Sequence, residues 1–332
     1  MTPAIDPALE PGLPPNHGGT VITVGTFDGV HRGHWEVLEA LRKRAGEVGM
    51  PAVLVTFHPH PLQVVRPDDA PELLTTPLEK KEILAESALD YAVFIPFTET
   101  LRSYPPERFV REILIDRLRM KHLVIGYDHG FGRGRSGDVD TLRDIGDRLG
   151  FAVDVVEALR TNGDAISSTK IRTALREGRV EEAARGLGRP YSARGPVIRG
   201  DGRGRALGFP TANIHITDAG KLLPREGVYA VCATLRSGTY RGVLHLGPRP
   251  TFEGSPPSVE LHLFDFDDDL YGEEVRVDFC ARIRGIHRFG SRQELVEAIR
   301  EDVDRAVELF EAGTACGDKR QDARGQDARG ER

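Results

Sequence analysis

The stretch that decides the fold is TVITVGTFDGVHRGH, residues 20–34. Its first five residues are apolar or β-branched without interruption, as in a strand buried on both faces, and the run ends at Gly25. A helical pattern follows at 34–49, so the stretch predicts a strand, a glycine-rich turn and a helix. Such a unit belongs to a parallel sheet, whose ligands bind where the strands end.

The same alternation continues to about Leu187. Further buried strands are predicted at 52–57, 91–95, 121–126 and 151–156, with amphipathic helices at 77–87, 106–119 and 138–150. Right-handed crossovers place helices on both faces of a parallel sheet. This part of the chain therefore predicts a doubly wound α/β domain.

Beyond residue 195 the helical patterns stop. Strands rich in β-branched and aromatic residues are predicted at 227–235, 239–247, 258–266 and 273–283, separated by Gly, Pro and Asp. A helix capped by Ser291, with Glu294 completing a capping box, follows at 291–310. This half predicts an antiparallel β-barrel closed by a C-terminal helix.

The predicted organisation has two domains, as a length of 332 residues favours. In chain order the segments are a flexible arm (1–18), the α/β domain (19–187), a linker (188–192), the barrel (193–310) and a disordered tail (311–332) that repeats QDARG.

Composition excludes several classes of protein. A formal charge of −6 argues against binding nucleic acid through bulk positive charge. The N-terminal residues lack the basic and apolar regions of a signal peptide, and no apolar stretch has membrane-spanning length, so we expect neither a signal peptide nor a membrane span. The three cysteines are far apart and lack metal-ligand spacing. We expect a cytoplasmic protein with neither nucleic acid nor membrane as a partner, acting as a monomer or weak homo-oligomer.

The turn after the first strand carries the strongest chemical signal. Gly25, Gly29 and Gly33 allow close backbone approach to a ligand at a helix N-terminus, where amides and the helix dipole favour anions. His31 and His34 are three residues apart, so on a helical turn they share a face. Two imidazoles and several amides can hold a triphosphate and stabilise charge developing on phosphorus.

A second polar segment, ISSTKIR, occupies residues 166–172. The hydroxyls of Ser167, Ser168 and Thr169 precede a helix whose first turn carries Arg172. They can bind phosphate, and Arg172 can neutralise a departing pyrophosphate. From the residues alone, ordinary helix capping is the better explanation of these hydroxyls.

Two other segments are less specific. Residues 132–137 match GxGxxG, yet they do not directly follow a strand and carry two arginines where a helix would start, which excludes a dinucleotide fingerprint. His58 and His60 could form a metal pair, but prolines flank them and no third ligand is evident.

In the predicted barrel, GDGRGRALGFPTAN (200–213) joins a glycine loop to a Phe-Pro turn. The loop could close over phosphates, while Thr211 and Asn213 offer oxygens on one side of an extended segment for Mg²⁺. A long turn is equally compatible with these residues. Glu260, a single carboxylate in an apolar strand, would ordinarily face solvent.

These motifs resemble those of one family. GTFDGVHRGH and SSTKIR are similar to the nucleotidyltransferase module of bacterial FAD synthetases, and GFPTAN with GPRPTF (247–252) to riboflavin kinases. No Walker A sequence occurs, since Gly220-Lys221 is followed by Leu222. The chain thus resembles a bifunctional riboflavin kinase/FAD synthetase, which phosphorylates riboflavin to FMN and adenylylates FMN to FAD, using ATP and Mg²⁺.

The resemblance implies a role for each matching residue. It implies His31, His34 and Arg172 as catalytic residues of adenylylation and Glu260 as the base that deprotonates riboflavin in the kinase. The ligand contacts it implies are Gly25, Phe27, Asp28, Gly33, Phe57, Pro59, Asp128, Ser167, Ser168 and Thr169 in the first domain, with Gly202, Gly204, Gly208, Pro210 and Arg249 in the second. Thr211 and Asn213 are the implied metal ligands.

Two departures from the family pattern leave alternatives open. His129 stands where the family usually has Phe, and Ile286 stands where an acid is common. The alternatives are an enzyme in which one activity has decayed, and a flavin- or nucleotide-binding regulator without turnover.

Overall fold

The computed structural model describes residues 18–127, 130, 137–157, 159–161, 164–200, 203–247 and 258–314. By internal contacts the chain divides into two units, Met1–Ser168 and Thr169–Arg332. The predictions of an N-terminal arm and of a tail concern residues 1–17 and 315–332, which lie outside the described residues.

The first unit contains the predicted parallel sheet. Its strands are β1 (Thr20–Val24), β2 (Ala52–His58), β3 (Tyr91–Pro96), β4 (Met120–Gly126) and β5 (Ala152–Val156). They lie in the order β3-β2-β1-β4-β5, and every pairing is parallel. All five strands correspond to segments predicted from the sequence, so the parallel sheet is confirmed.

Helices connect these strands. They are α1 (Arg32–Val48), α2 (Pro61–Val65), α3 (Pro77–Ala85), α4 (Glu99–Arg102), α5 (Pro106–Phe109) and α6 (Val139–Leu149), and α5 continues into a π-helical segment at Val110–Arg117. A short hairpin pairs β6 (Arg160–Thr161) with β7 (Asp164–Ala165). Alternate residues of the strands pack in different clusters, Ile22 with Leu114 and Val21 with Leu41, as in a doubly wound fold.

The topology fixes where a ligand can bind in this unit. In the sheet, β1 lies between β2 and β4. β2 is the next strand along the chain, whereas β4 is formed later in the chain. The strand order therefore reverses at β1, and such a switch point opens a crevice at the carboxyl ends of the strands. The segment Gly25–His34 begins at that end of β1.

The second unit is a closed antiparallel barrel with accompanying helices. In chain order its elements are α7 (Ser168–Arg176, which begins at the last residue of the first unit), α8 (Val180–Leu187), β8 (Tyr191–Ile198), α9 (Arg203–Leu207), β9 (Ala212–Ile214), β10 (Gly227–Leu235), β11 (Gly238–Gly247), β12 (Ser258–Leu263), β13 (Glu274–Arg284) and α10 (Arg292–Glu311). The barrel order is β10-β11-β12-β9-β8-β13, which confirms the predicted architecture.

The start of the barrel differs from expectation. β8 begins at Tyr191, inside the segment 188–192 predicted as a linker, and pairs with β13. By contacts α8 also belongs to this unit, where Glu181 accepts a hydrogen bond from the Arg282 backbone N–H at 3.0 Å. The domain limits inferred from the sequence, 19–187 and 193–310, stay a prediction.

Helix α10 packs against the outside of the barrel. Ser291 caps it as predicted, accepting from the Glu294 backbone N–H at 3.2 Å. The Glu294 carboxylate accepts from the Gly290 N–H rather than from that of Ser291, so the expected reciprocal capping box is wrong in its second half. Phe310 is buried in the same hydrophobic cluster as Cys280 of β13. Among the described residues, no helix combines the length and apolarity needed to cross a membrane.

Candidate active sites

The loop between β1 and α1, here called the histidine turn (Gly25–His34), has an unusual backbone. Phe27, Gly29 and Val30 have φ angles of 46°, 81° and 38°, in the left-handed region that side chains disfavour. A Cβ added at Gly25 would lie 2.8 Å from the Phe27 ring, so only glycine fits there without rearrangement. Residues held in such conformations cluster at ligand sites.

His31 and His34 meet at the N-terminus of α1. The His31 Nδ1 accepts from the His34 backbone N–H, and the His34 Nδ1 accepts from the His31 N–H, both at 3.3 Å. Their rings stack with centroids 3.7 Å apart, and the Phe27 ring lies 4.6 Å from that of His34. Gly33 permits this arrangement, since an added Cβ would press on the His31 ring at 3.3 Å.

Asp28 anchors the histidine turn to the segment that precedes α3. Its buried carboxylate accepts hydrogen bonds from the backbone N–H groups of Leu74 and Thr75, at 3.0 and 3.1 Å, and from the Thr75 hydroxyl at 3.2 Å. The Gly29 N–H donates to the same hydroxyl. The aspartate that the sequence predicted as a ligand contact therefore fixes the turn against residues 74–75.

Ser168, the last residue of the first unit, also contacts the turn. The Ser168 hydroxyl donates to the Asp28 carbonyl at 3.0 Å. Ser167 is half-buried, Thr169 is exposed, and Arg172 is buried one helical turn after Ser168. Asp128, predicted as a nucleotide contact, lies outside the described residues, as does His129.

An open pocket adjoins the turn at the end of β2. Its walls are formed by Phe57, His58, His60, Leu73, Thr75, Pro77, Lys80 and Phe94. Phe57 also packs edge-on against Phe97 in the core, with 5.5 Å between ring centroids. His60 caps α2, since its Nδ1 accepts from the Leu62 N–H. Pro59 lies between the two histidines and is half-buried.

Lys80 is a residue of this region that sequence reasoning missed. Its Nζ donates to the Thr26 carbonyl at 2.7 Å, and its side chain is buried. Burial lowers the pKa of the ammonium, while the nearby Asp28 carboxylate raises it. The available signal was a lysine at a core-facing position of a helix, in a chain with seven lysines among 45 cations.

The barrel brings a second set of polar residues together. Asn213 on β9 pairs in register with Glu260 on β12, and Glu260 pairs with His245 on β11. Because directly paired residues point to the same face of a sheet, these three side chains form one polar row. Ser258 donates to the Glu260 carboxylate at 2.9 Å, so Glu260 has a defined orientation.

Two glycines let Thr211 and Asn213 lie against the loop that follows β8. A Cβ added at Gly200 would come within 2.1 Å of the Asn213 Nδ2 atom. At Gly204 it would lie 2.4 Å from the Phe209 carbonyl oxygen and 2.9 Å from the Thr211 hydroxyl. The bare backbone thus forms a cradle for two neutral oxygen-bearing side chains, a donor set that suits a hard divalent cation.

The remaining predicted residues border this cradle or lie beyond the described chain. Gly208 has a φ of 87°, and the Pro210 carbonyl lies 2.9 Å from the His262 Nδ1. Gly202 and Arg249 lie outside the described residues, as does most of the predicted GPRPTF loop. Within the described ranges there is no group of three or more His, Cys, Asp or Glu side chains suited to a metal ion.

His245 was also missed by sequence reasoning. Burial lowers the pKa of its imidazole, and the Glu260 carboxylate raises it to a lesser degree. No local pattern signals this residue, because its pairing with Glu260 depends on the register of two strands.

Comparison with known families decides what these two sites belong to. A family model described as FAD synthetase matches residues 13–170, and one described as riboflavin kinase matches residues 187–310. The curated relative from Bacillus subtilis is 38% identical over 88% of this chain and 92% of its own length, and its name is bifunctional riboflavin kinase/FMN adenylyltransferase. The chain belongs to this bifunctional family.

Other relatives agree with the assignment. A Pseudomonas fluorescens protein of the same name is 38% identical over 90% of this chain and 95% of that protein, and the Escherichia coli K12 protein is 37% identical over 88% and 93%. A solved structure titled macrolide-efflux protein, from Streptococcus pneumoniae, is 31% identical with a TM-score of 0.81, covering 90% of this chain and 96% of that one. The two chains therefore share a fold over nearly the whole length of each.

Proposed function

We propose that the barrel unit phosphorylates riboflavin to FMN and that the sheet unit adenylylates FMN to FAD. The observation that carries the proposal is a pair of polar sites, the histidine turn within the residues matched by the FAD synthetase model and the Asn213–Glu260 row within those matched by the riboflavin kinase model. Both reactions use ATP, the first at its γ-phosphorus and the second at its α-phosphorus.

In the kinase reaction, Glu260 is the proposed general base. Its carboxylate takes the proton from the riboflavin hydroxyl as that oxygen attacks the γ-phosphorus, and ADP leaves. Ser258 supports this role because its hydroxyl holds the carboxylate at 2.9 Å. Asn213, the register partner of Glu260, would place the phosphates beside the base.

Magnesium is the proposed metal of the kinase site. Thr211 and Asn213 would hold it with their side-chain oxygens, in the cradle made by Gly200 and Gly204. When bound, the cation supplies positive charge that screens the phosphates of ATP. Gly202, Gly208, Pro210 and Arg249 are the proposed nucleotide and flavin contacts of this site.

In the adenylylation reaction, a phosphate oxygen of FMN attacks the α-phosphorus of ATP, and pyrophosphate leaves. The FMN phosphate is already anionic, so no strong base is required. His31 and His34 would stabilise the charge on the transferring group from the N-terminus of α1, where the helix dipole adds to their effect. Arg172 is the proposed cation for the departing pyrophosphate.

The other residues predicted for adenylylation have supporting roles in this proposal. Gly25 and Gly33 shape the histidine turn, Phe27 and Asp28 hold it, and Ser167, Ser168 and Thr169 supply hydroxyls for phosphate. Phe57 and Pro59 border the pocket beside the turn, and Asp128 is a proposed nucleotide contact. We further propose that the protein is cytoplasmic and a monomer or weak homo-oligomer.

One incubation tests the proposal and its alternatives. The full chain is mixed with riboflavin, Mg²⁺ and ATP, and the flavins are separated by chromatography over time. We expect FMN to appear first and FAD to follow. FMN without FAD would indicate a kinase with a decayed second site, and unchanged riboflavin would favour a binding protein without turnover.

Matched variants test the division of labour. Glu260→Gln keeps the size of the side chain and removes the base, so we expect FMN formation to fall at least ~100-fold, with FMN-to-FAD conversion unchanged. His34→Ala should give the reverse pattern. If a folded variant lost both activities, the assignment of one reaction to each unit would be wrong.

A further inference from the structure

We propose that Lys80 is a positioning residue for adenylylation: its buried ammonium holds the Thr26–Phe27 peptide so that the Phe27 N–H stays available to a phosphate. The inference rests on the proposed function of the sheet unit. It starts from the contact between the Lys80 Nζ and the Thr26 carbonyl, 2.7 Å long.

The Thr26 carbonyl accepts two side-chain hydrogen bonds. The second comes from the Thr56 hydroxyl at 3.1 Å, at a fully buried position of β2. Two donors on different elements, α3 and β2, therefore fix the direction of this carbonyl. A hydrogen bond from a charged donor is about twice as strong as a neutral one, so Lys80 contributes the larger part.

The direction of the carbonyl determines the direction of the next N–H. The Thr26–Phe27 bond is trans, and a planar trans peptide points its C=O and N–H in opposite directions. The Phe27 N–H therefore points away from Lys80 and Thr56. Within the described ranges no acceptor takes this N–H, although Phe27 itself is buried.

A backbone N–H without a protein acceptor costs folding free energy where water does not reach it, on the order of 1–3 kcal/mol. Proteins keep such a group where a ligand supplies the acceptor, and amides at a helix N-terminus are a common phosphate site. The proposed substrates of this unit carry phosphates, and the histidines of the same turn begin α1.

Lys80 and Asp28 act together as a clamp on the turn. Asp28 binds the backbone of Leu74 and Thr75, which lead into α3, and Lys80 reaches back from α3 to Thr26. Without the ammonium, the peptide that precedes Phe27, whose φ of 46° is disfavoured, could rotate. The expected effect is a slower chemical step, with substrate affinity changed less.

The experiment compares Lys80→Met with Lys43→Met in the full-length protein. Lys43 is an exposed lysine on α1 of the same unit and serves as the matched control. Steady-state kinetics give kcat and KM for FMN adenylylation, and riboflavin phosphorylation is measured in each preparation. We expect Lys80→Met to lower the adenylylation kcat by about 10- to 100-fold, with less than a 3-fold change in KM for FMN and normal kinase activity.

Combining Lys80→Met with Thr56→Val distinguishes a positioning role of Lys80 from a purely structural one. Both side chains act on one carbonyl, so their effects on kcat should not multiply: the double variant should be close to Lys80→Met alone. Thermal unfolding of each variant shows whether it is folded. A folded Lys80→Met protein with kcat within 2-fold of the parent would overturn the proposal, and so would multiplicative effects in the double variant.

Failure of the proposed function gives a different result. If the unmodified chain does not convert FMN to FAD, the function of the unit is wrong. If the unmodified chain is active and Lys80→Met is equally active, only the role of Lys80 is wrong. Should Lys80→Met fail to fold, Lys80→Gln takes its place, and a folded Lys80→Gln protein with kcat within 2-fold of the parent contradicts the role of the ammonium.

Discussion

At the residue scale, His245 stands opposite Glu260 on the neighbouring strand, and burial lowers its pKa below the ordinary value of 6.5. The Glu260 carboxylate opposes this shift, and the Arg284 guanidinium adds to it. As the pH falls through about 6.5, the imidazole takes up a proton in the unfolded chain before it does so in the folded one. The unfolded state then binds more protons, so acid lowers the free energy of unfolding.

Replacing His245 should remove this acid sensitivity. We expect the loss of unfolding free energy between pH 7.5 and 5.5 to be smaller in His245→Asn than in the parent, by about 1 kcal/mol for each unit of pKa shift. Urea denaturation at the two pH values measures it. The control is His215→Asn, which removes an exposed imidazole of the same unit. Equal pH dependence in the parent and His245→Asn would contradict the prediction.

Cys280 gives a second prediction at this scale. Burial raises the pKa of its thiol to about 12, and the Asp278 carboxylate adds to the effect. Because the thiolate is the reactive species, iodoacetamide at pH 8 should leave Cys280 unmodified in the native protein and alkylate it in urea. Mass spectrometry of the peptide that contains Cys280 distinguishes the two results. Rapid labelling of the native protein would show that the site opens.

At the element scale, the loop after β8 depends on the absence of a side chain. A Cβ at Gly200 would occupy the place of the Asn213 amide, 2.1 Å from its nitrogen. Gly200→Ala should therefore displace Asn213 and raise the Mg²⁺ concentration needed for half-maximal kinase activity, by about 10-fold, a loss of 1.4 kcal/mol in metal binding. Magnesium titrations of riboflavin phosphorylation test this.

Gly285→Ala is the matched control for that titration. Its Cβ would make only an ordinary contact, 3.7 Å from the Arg282 guanidinium. Adenylylation of FMN should be unchanged in both variants, because Gly200 lies in the barrel unit. An unaltered magnesium requirement in Gly200→Ala would remove Asn213 from the proposed metal site.

The elements that periodicity defines were predictable, and those that depend on register were not. Continuous apolar runs identified all five strands of the sheet, because strands buried on both faces carry their own signal. β8 has the sequence YSARGPVI, in which Gly195 and Pro196 disfavour a strand and only alternate residues are buried. Tertiary pairing with β13 overrides that weak local preference.

The same distinction applies to the site residues. His31 and His34 could be paired from their spacing, because residues that are three positions apart on a helix lie on the same face. Lys80 and His245 could not, since the first contacts a residue 54 positions away and the second meets Glu260 only through strand register. The inward direction of the Asp28 carboxylate likewise depends on where Leu74 and Thr75 lie.

At the scale of the whole molecule, each unit has its own hydrophobic core and its own candidate site. The activities should therefore complement each other between molecules. Glu260→Gln should be deficient in riboflavin phosphorylation and His34→Ala in FMN adenylylation, so neither variant by itself should convert riboflavin to FAD efficiently. We expect a mixture of the two variants to make FAD from riboflavin. Chromatography of the flavins over time measures this. FMN that accumulates in the mixture without becoming FAD would show that the product does not pass from one chain to another.

The closed barrel also affects how the chain is made. β8 lies at the start of the barrel sequence and β13 near its end, yet the two pair along most of β8. During translation β8 leaves the ribosome early and waits with one edge unpaired until β13 has been synthesised. An unpaired edge can pair with a strand of another nascent chain. Proline, charged side chains and glycine in the edge strand make such pairing less favourable. Arg194, Gly195 and Pro196 thus suit β8 to the period before its partner exists.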